Sequence, residues 1–438
     1  VGADEMKSYD DDELIKFLYI VSAFNPGNAR IHKLKEYFGS WDELYRELAF
    51  RKPRGIFTEK ELAGAKNVHG DQLRGIISYC RQRGIAIICY NDEEYPQRLR
   101  NINNPPAVIF CRGDYRILKD DVIVAVVGSR KPSDYTKKAT AAVAGTFAAS
   151  GITVASGFAA GTDITAHLSA VENGGKTIAV FGSGVDYIYP KENAVYVDKI
   201  LGNGAIISEY FPQAVANTFY FTARNRILAG ISQGTVVMEA RSRSGSLNTA
   251  SHTISNGRDL WVMPPHDIFD SRYDGGKKLL AEGAVPLYSP NDVPNEYFEN
   301  HTCKTVNNSV IDSAVIDDDI LETALININN GGTKKKSSTE KPKNKRSAKT
   351  VKEENGGGTK STARNEARNV PSGPPASAML TGDHLLIYNI LKESAYPLNA
   401  DDISSSTGLG VSVVFTVLLE LEVDGLLASD SAQNYTLV

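Results

Sequence analysis

Cysteine is scarce in this chain. Its 438 residues hold only Cys80, Cys89, Cys111 and Cys303, too few to staple a fold of this size and too far apart for a C-x-x-C redox or metal pair. Reduced, structural thiols are expected. Long apolar runs are missing too. None approaches the ~18 residues of a membrane span, and no basic-then-apolar leader precedes the acidic opening VGADEMKSYDDDE. The expectation is a cytoplasmic chain without membrane contact. Charge of one sign is also lacking: 48 Lys plus Arg stand against 52 Asp plus Glu, a formal net charge of -4, which excludes a polycation that coats nucleic acid along its whole length. Neither G-x-G-x-x-G nor G-x-x-x-x-G-K-[ST] occurs where a strand meets a helix, so no dinucleotide cofactor, no P-loop hydrolysis and no metal is expected.

What is present divides the chain into four stretches. Residues 1–84 carry apolar residues at three-to-four spacing with breaks at Asn25-Pro26-Gly27 and Gly39-Ser40, which predicts a helical domain of SAM-like or helix-hairpin-helix-like character. Residues 85–300 begin with the strand IAIICY and an ordered connection. From Val122 come short apolar runs, each followed by small residues and a helical segment: VIVAVVGSR, ITVASG, TIAVFGSG, AIISEY, GTVVMEA and DLWVMPP. Strands apolar on both faces and alternating with helices predict a mostly parallel, doubly wound, Rossmann-like α/β sheet. Residues 301–378 lose this periodicity and carry, between Thr333 and Val370, a dozen Lys and Arg against four Glu, the composition of a disordered basic linker. Residues 379–438 read as three helices, strand, turn and strand, a winged helix with Gly408 at its turn. Its recognition helix, Val411 to Val423, has no Lys or Arg and carries Glu420 and Glu422; Lys392 is the only Lys or Arg in the block. Such a helix repels phosphates, so this module is expected to bind protein rather than duplex DNA.

The chemistry-bearing residues cluster at turns that follow the predicted strands. Gly128, Ser129 and Arg130 sit where a buried strand ends and a helix starts, a place where backbone N–H groups approach phosphate. Gly157 and Gly161 loosen the next turn, with Asp163 and, four residues on, His167; the pair reads either as acid and base or as a helix cap beside a packing histidine. Gly182, Ser183, Gly184 and Asp186 precede Tyr187, Tyr189 and Lys191, a base-stacking pair or a tyrosine shelf under a loop. Arg224 and Arg226 flank Asn225 after Phe219, Tyr220 and Phe221, and Arg241 and Arg243 precede Ser244, Gly245 and Ser246. Turns following strands of one parallel sheet converge outside its carboxyl ends, which predicts an anion-binding groove. Dispersed cations suit a repeated diester backbone better than a compact pocket.

In this order the segments GIAIICYNDEEYPQRLRNINNPPAVIFCRGD, VAVVGSR, SGFAAGTDITAH, FGSGVDYIYPKEN, ISEY, ARNRILAGIS, VVMEARSRSGSLNTA, GRDLWVMP and LLAEGA resemble the DNA-processing protein A family (DprA, also called Smf). The resemblance implies a recombination mediator without catalysis. Such a protein binds single-stranded DNA, often as a homodimer through the Rossmann domain, protects incoming DNA and helps load RecA in natural transformation. It implies DNA contacts at Gly128, Ser129, Arg130, Lys191, Arg224, Asn225 and Arg226, with Arg243 and Ser244 on the same rim and Gly157, Gly161, Gly182, Gly184 and Gly245 shaping the groove. Departures from the family pattern are Ala160, Pro264-Pro265 in place of proline-glycine, and Gly275-Gly276-Lys277-Lys278-Leu279. Two other readings compete. One is a nucleotide-processing enzyme acting on a nucleoside monophosphate with Asp163, Glu209 or Glu239 as acid or base; the other is an adaptor recruiting through the acidic winged helix and basic linker.

Overall fold

The computed structural model describes residues 11–53, 55–298, 301, 382–394, 398–423, 426–429 and 435–437. Apart from His301, the basic stretch over 301–378 lies outside the described residues. Two compact units are present, one within Val1–Ser337 and one within Ser338–Val438.

The first unit opens with five helices: α1 (Asp11–Phe24), α2 (Arg30–Phe38), α3 (Trp41–Arg46), α4 (Glu59–Lys66) and α5 (Gly70–Gln82). Their limits follow local chemistry. Three carboxylates in its first turn favour α1 through the helix dipole. Gly39 ends α2 at φ 86°, where a side chain would be strained, and Thr58 with Glu61 forms a reciprocal capping box on α4. Leu14, Phe17 and Leu18 of α1 join Ile85, Phe110 and Ile206 of the sheet in one buried cluster, so the helical opening and the sheet edge share a core.

The sheet has nine strands: β1 (Ile85–Cys89), β2 (Val108–Gly113), β3 (Ile123–Val127), β4 (Thr153–Ser156), β5 (Thr177–Val180), β6 (Gly204–Ser208), β7 (Gly234–Val237), β8 (Asp259–Val262) and β9 (Val285–Pro286). Their order is β1-β2-β6-β5-β4-β3-β7-β8-β9. β3 to β9 are parallel, and β2 runs opposite between β1 and β6. The six strands expected from continuous apolar runs are all present. Beyond that reading, VIFCRG within the expected connection pairs as β2. Helices α6 (Gln97–Arg100), α7 (Asp134–Ala149), α8 (Thr162–Glu172), α9 (Val197–Gly202), α10 (Thr218–Ile231), α11 (Gly245–Ser255), α12 (Asp274–Ala281) and α13 (Asp292–Tyr297) accompany the strands. Buried clusters cover both faces. Strand order reverses at β3, whose neighbours are β4 and β7, so the crevice outside these carboxyl ends is the sheet's switch point. Cys80, Cys89 and Cys111 are buried and unpaired, and burial pushes the Cys80 thiol up to about 12.

The second unit contains α14 (Gly382–Glu393), α15 (Ala400–Thr407), α16 (Val411–Val423) and the antiparallel pair β10 (Leu427–Ser429) and β11 (Tyr435–Leu437). This is the expected winged helix. Gly408 closes α15 at φ 71°. Among the described residues no helix is long and apolar enough to cross a membrane.

Candidate functional site

The turns after β3 and β4 lock together at the carboxyl rim. Thr162 donates its N–H to Ser129 O at 3.1 Å, and a Cβ on Gly128 would stand 2.7 Å from Thr162 Oγ1. Gly161, at φ 81°, threads between the Ser129 and Arg130 carbonyls, each 2.6 Å from where a Cβ would fall. Contact between the turns therefore demands both glycines. Phe158 adopts φ 62° although it is not glycine; it is wholly buried, and Asn193 of the YPKEN segment donates to its carbonyl at 2.9 Å. The outcome is a rigid rim from which the exposed Arg130 projects.

Arg224 and Arg226 part company. The structure places both well inside α10, which starts at Thr218. Arg226 gives Nη1 and Nη2 to the two carboxylate oxygens of Glu209, each at 2.6 Å, and Nε to Asn104 O at 3.0 Å. Burial opposes its charge, but Glu209 outweighs that and holds the pKa up. The Arg226 fork is thus filled from within the chain. Arg224 is also buried, yet its Nε and Nη1 have no hydrogen-bond partner. Burial pushes its pKa down to about 10 while Asp163 pulls the other way, so it stays a cation at neutral pH. Its guanidinium lies against Gly157, where a Cβ would stand 2.0 Å from Nη1. Buried donors left without acceptors are costly, and an anion seated against Nε and Nη1 would relieve them.

The remaining expected residues take several roles. Asn225 ties α10 to α11 through Gly245 O at 3.3 Å and Asn248 Oδ1 at 3.1 Å. Gly182 and Gly184 are buried where a Cβ would collide with Phe221 of α10 and with Phe211 O, so they serve packing of their loop against α10 and the segment after β6. Gly245 has open space at the first turn of α11, which Ser244 caps by accepting from Ser246 N–H. Arg241, Arg243 and Lys191 are exposed, and like Arg130 they have no ion-pair partner among the described residues. Tyr189 is 47% exposed and lies 5.3 Å from the Phe221 ring, with Phe219 61% exposed on the same helix. Tyr187 is half-buried.

The carboxylates and the histidine are internal. Glu239, buried at the end of β7, accepts from Ser133 N–H and Thr136 Oγ1, both at 2.9 Å, and so occupies the N-terminus of α7 at the switch point. Tyr273 Oη lies 2.9 Å from Thr136 Oγ1 and 3.2 Å from Ser133 Oγ. Sequence reasoning did not single out Tyr273. Asp163 accepts from Ala159 N–H at 3.2 Å. His167 is wholly buried, its Nδ1 2.6 Å from Thr177 Oγ1; that hydroxyl donates to Val154 O, which leaves its lone pair for Nδ1–H. Burial depresses its pKa to about 3. Of the two readings of the Asp163–His167 pair, the geometry fits a turn-bracing carboxylate beside a packing histidine. Among the described residues no group of three or more His, Cys, Asp or Glu could hold a metal ion.

The structure thus defines a Rossmann-like α/β protein whose carboxyl rim carries exposed cations and aromatics and which is joined in sequence to a winged helix. The family model for DNA recombination-mediator protein A matches residues 86–298, and that for the DprA winged helix domain matches residues 371–433. The chain belongs to the DNA recombination-mediator protein A family. It is 41% identical over 206 residues to DNA processing protein DprA of Streptococcus pneumoniae, covering 47% of this chain and 72% of that protein. It is 32% identical over 230 residues to the Bacillus subtilis protein of the same name, covering 52% and 77%. The X-ray structure of the Streptococcus pneumoniae protein superposes with a TM-score of 0.56 at 30% identity, covering 66% of this chain and 99% of that one.

Proposed function

We propose that this chain binds single-stranded DNA along the carboxyl rim of its sheet and acts as a non-catalytic recombination mediator. The observation that carries the reading is Arg224, a buried guanidinium whose Nε and Nη1 donors have no acceptor, with Arg130 close enough to act on its charge, and Lys191, Arg241 and Arg243 exposed at other turns after the strands without an ion-pair partner among the described residues. Cations from separate loops neutralise successive phosphates, and Tyr189 with Phe221 offers a face on which any base can stack. A mononucleotide enzyme fits less well. Glu239 occupies the helix terminus where a single phosphate would sit, Glu209 is committed to Arg226, and His167 has no solvent access.

In this reading the protein protects incoming DNA in the cytoplasm and, as a homodimer through the Rossmann unit, helps load RecA during natural transformation. Membership in a recombination-mediator family supports that assignment. Removing Arg130 and Lys191 together by alanine substitution is expected to weaken binding of a labelled oligonucleotide and to flatten log K against log salt by about 1.4, at about 0.7 per lost single-strand phosphate contact. Anisotropy titrations at several salt concentrations measure both. A titration identical to that of the parent protein discards the rim.

A further inference from the structure

A second aromatic pair lies on the other side of the switch point, unused by the site above. Tyr135, in the first turn of α7 and 50% exposed, stacks on His266 with ring centroids 4.8 Å apart and planes 19° from parallel. His266 follows the Pro264-Pro265 departure at the end of β8 and is itself exposed. Its ring stands edge-on to Tyr273 at 5.3 Å. Tyr273 is buried and pinned by the Ser133 and Thr136 hydroxyls, so the exposed pair rests on a fixed base. We infer that Tyr135 and His266 form a second base-stacking station, which holds the DNA strand after it has crossed the Arg130 turn.

Three observations favour a nucleobase as occupant. The pair bridges the ends of β3 and β8, on the same rim as the free cations Arg130, Arg241 and Arg243. Neighbouring carboxylates are already engaged: Asp134 by Lys137, Asp270 by Arg272, and Asp267 by the Phe269 N–H. A preoriented aromatic surface beside unpaired cations suits stacking on any base. The Tyr189 station lies in the turn after β5, two strand positions from β3 and four from β8 along the order β5-β4-β3-β7-β8. A strand lying along this rim meets the two stations in turn, at different nucleotides.

This inference rests on the single-strand reading, and the experiment separates the two. Oligothymidylates of about four to about twelve nucleotides are titrated against the full chain and against Tyr135→Ala, His266→Ala, Tyr135→Phe and the Arg130→Ala/Lys191→Ala double variant. The parent protein is expected to gain about tenfold in affinity, beyond the statistical gain, once the oligonucleotide is long enough to reach both stations. Both single alanine variants lose that step while binding the shortest oligonucleotide within about twofold of the parent; Tyr135→Phe, which keeps the ring, retains the step. Unaltered length profiles in the alanine variants overturn the station, whether or not those variants lose self-association in sedimentation, a loss that would assign the pair to a protein contact. If the double variant binds every length as the parent does, the rim reading falls and the station with it.

Discussion

Arg224 and Arg226 look interchangeable in the string ARNR, and helix geometry separates them. Two positions along an α-helix are about 200° apart, so side chains flanking Asn225 must point to opposite faces. One face meets Glu209 and the Asn104 carbonyl; the other lies over Gly157 without a partner. Their residue types were legible in the sequence, but their partners were not, because Glu209 and Asn104 come from distant segments. His167 gives a residue-scale prediction. Its folded pKa of about 3 lies below the ~6.5 of an unfolded histidine, so the native state favours the neutral ring. The stability this contributes is complete above pH ~6.5 and is lost progressively as pH falls towards 3, with a ceiling of roughly 5 kcal/mol. Calorimetry is expected to show a shallower fall in Tm from pH 7 to pH 4.5 for His167→Gln than for the parent. Parallel curves would refute the assignment.

At the scale of elements, the six strands from β3 to β8 were readable because they are buried on both faces and therefore apolar throughout. β2 escaped, since VIFCRG follows the turn-rich NINNPP and its pairing with β6 is made across almost a hundred residues. The glycines illustrate the same limit. Small residues after each strand signalled tight turns, but Gly128, Gly157, Gly182 and Gly184 prove to be contact points with neighbouring helices and loops, while Gly245 alone of the group opens onto space. Gly157→Ala tests this interlock. A methyl group there collides with the Arg224 guanidinium, so urea unfolding should report a loss of about 1–3 kcal/mol, and oligonucleotide affinity should fall as the cation is displaced. An unchanged midpoint with unchanged affinity would mean that Arg224 moves aside freely and plays no part in the rim.

For the whole molecule, charge is distributed unevenly behind a near-neutral total. The winged helix block carries Lys392 as its only Lys or Arg, and Glu420 is exposed on its recognition helix, which does not favour contact with duplex phosphates. Truncation after Asn330 is then expected to leave oligonucleotide affinity at high salt within about fivefold of the parent. Only the low-salt excess supplied by the dozen bases between Thr333 and Val370 should vanish. Gel shifts at two salt concentrations measure this, and abolished binding at high salt would move the main DNA contact away from the sheet. The amino-acid string by itself determined the Rossmann-like class, the winged helix and the turns at which basic and small residues gather, because local periodicity and composition encode burial and backbone freedom. Only the tertiary structure decided which cations are free, which carboxylates are internal and that Tyr135 meets His266. Those depend on which distant side chains arrive at each turn, and no local pattern records their arrival.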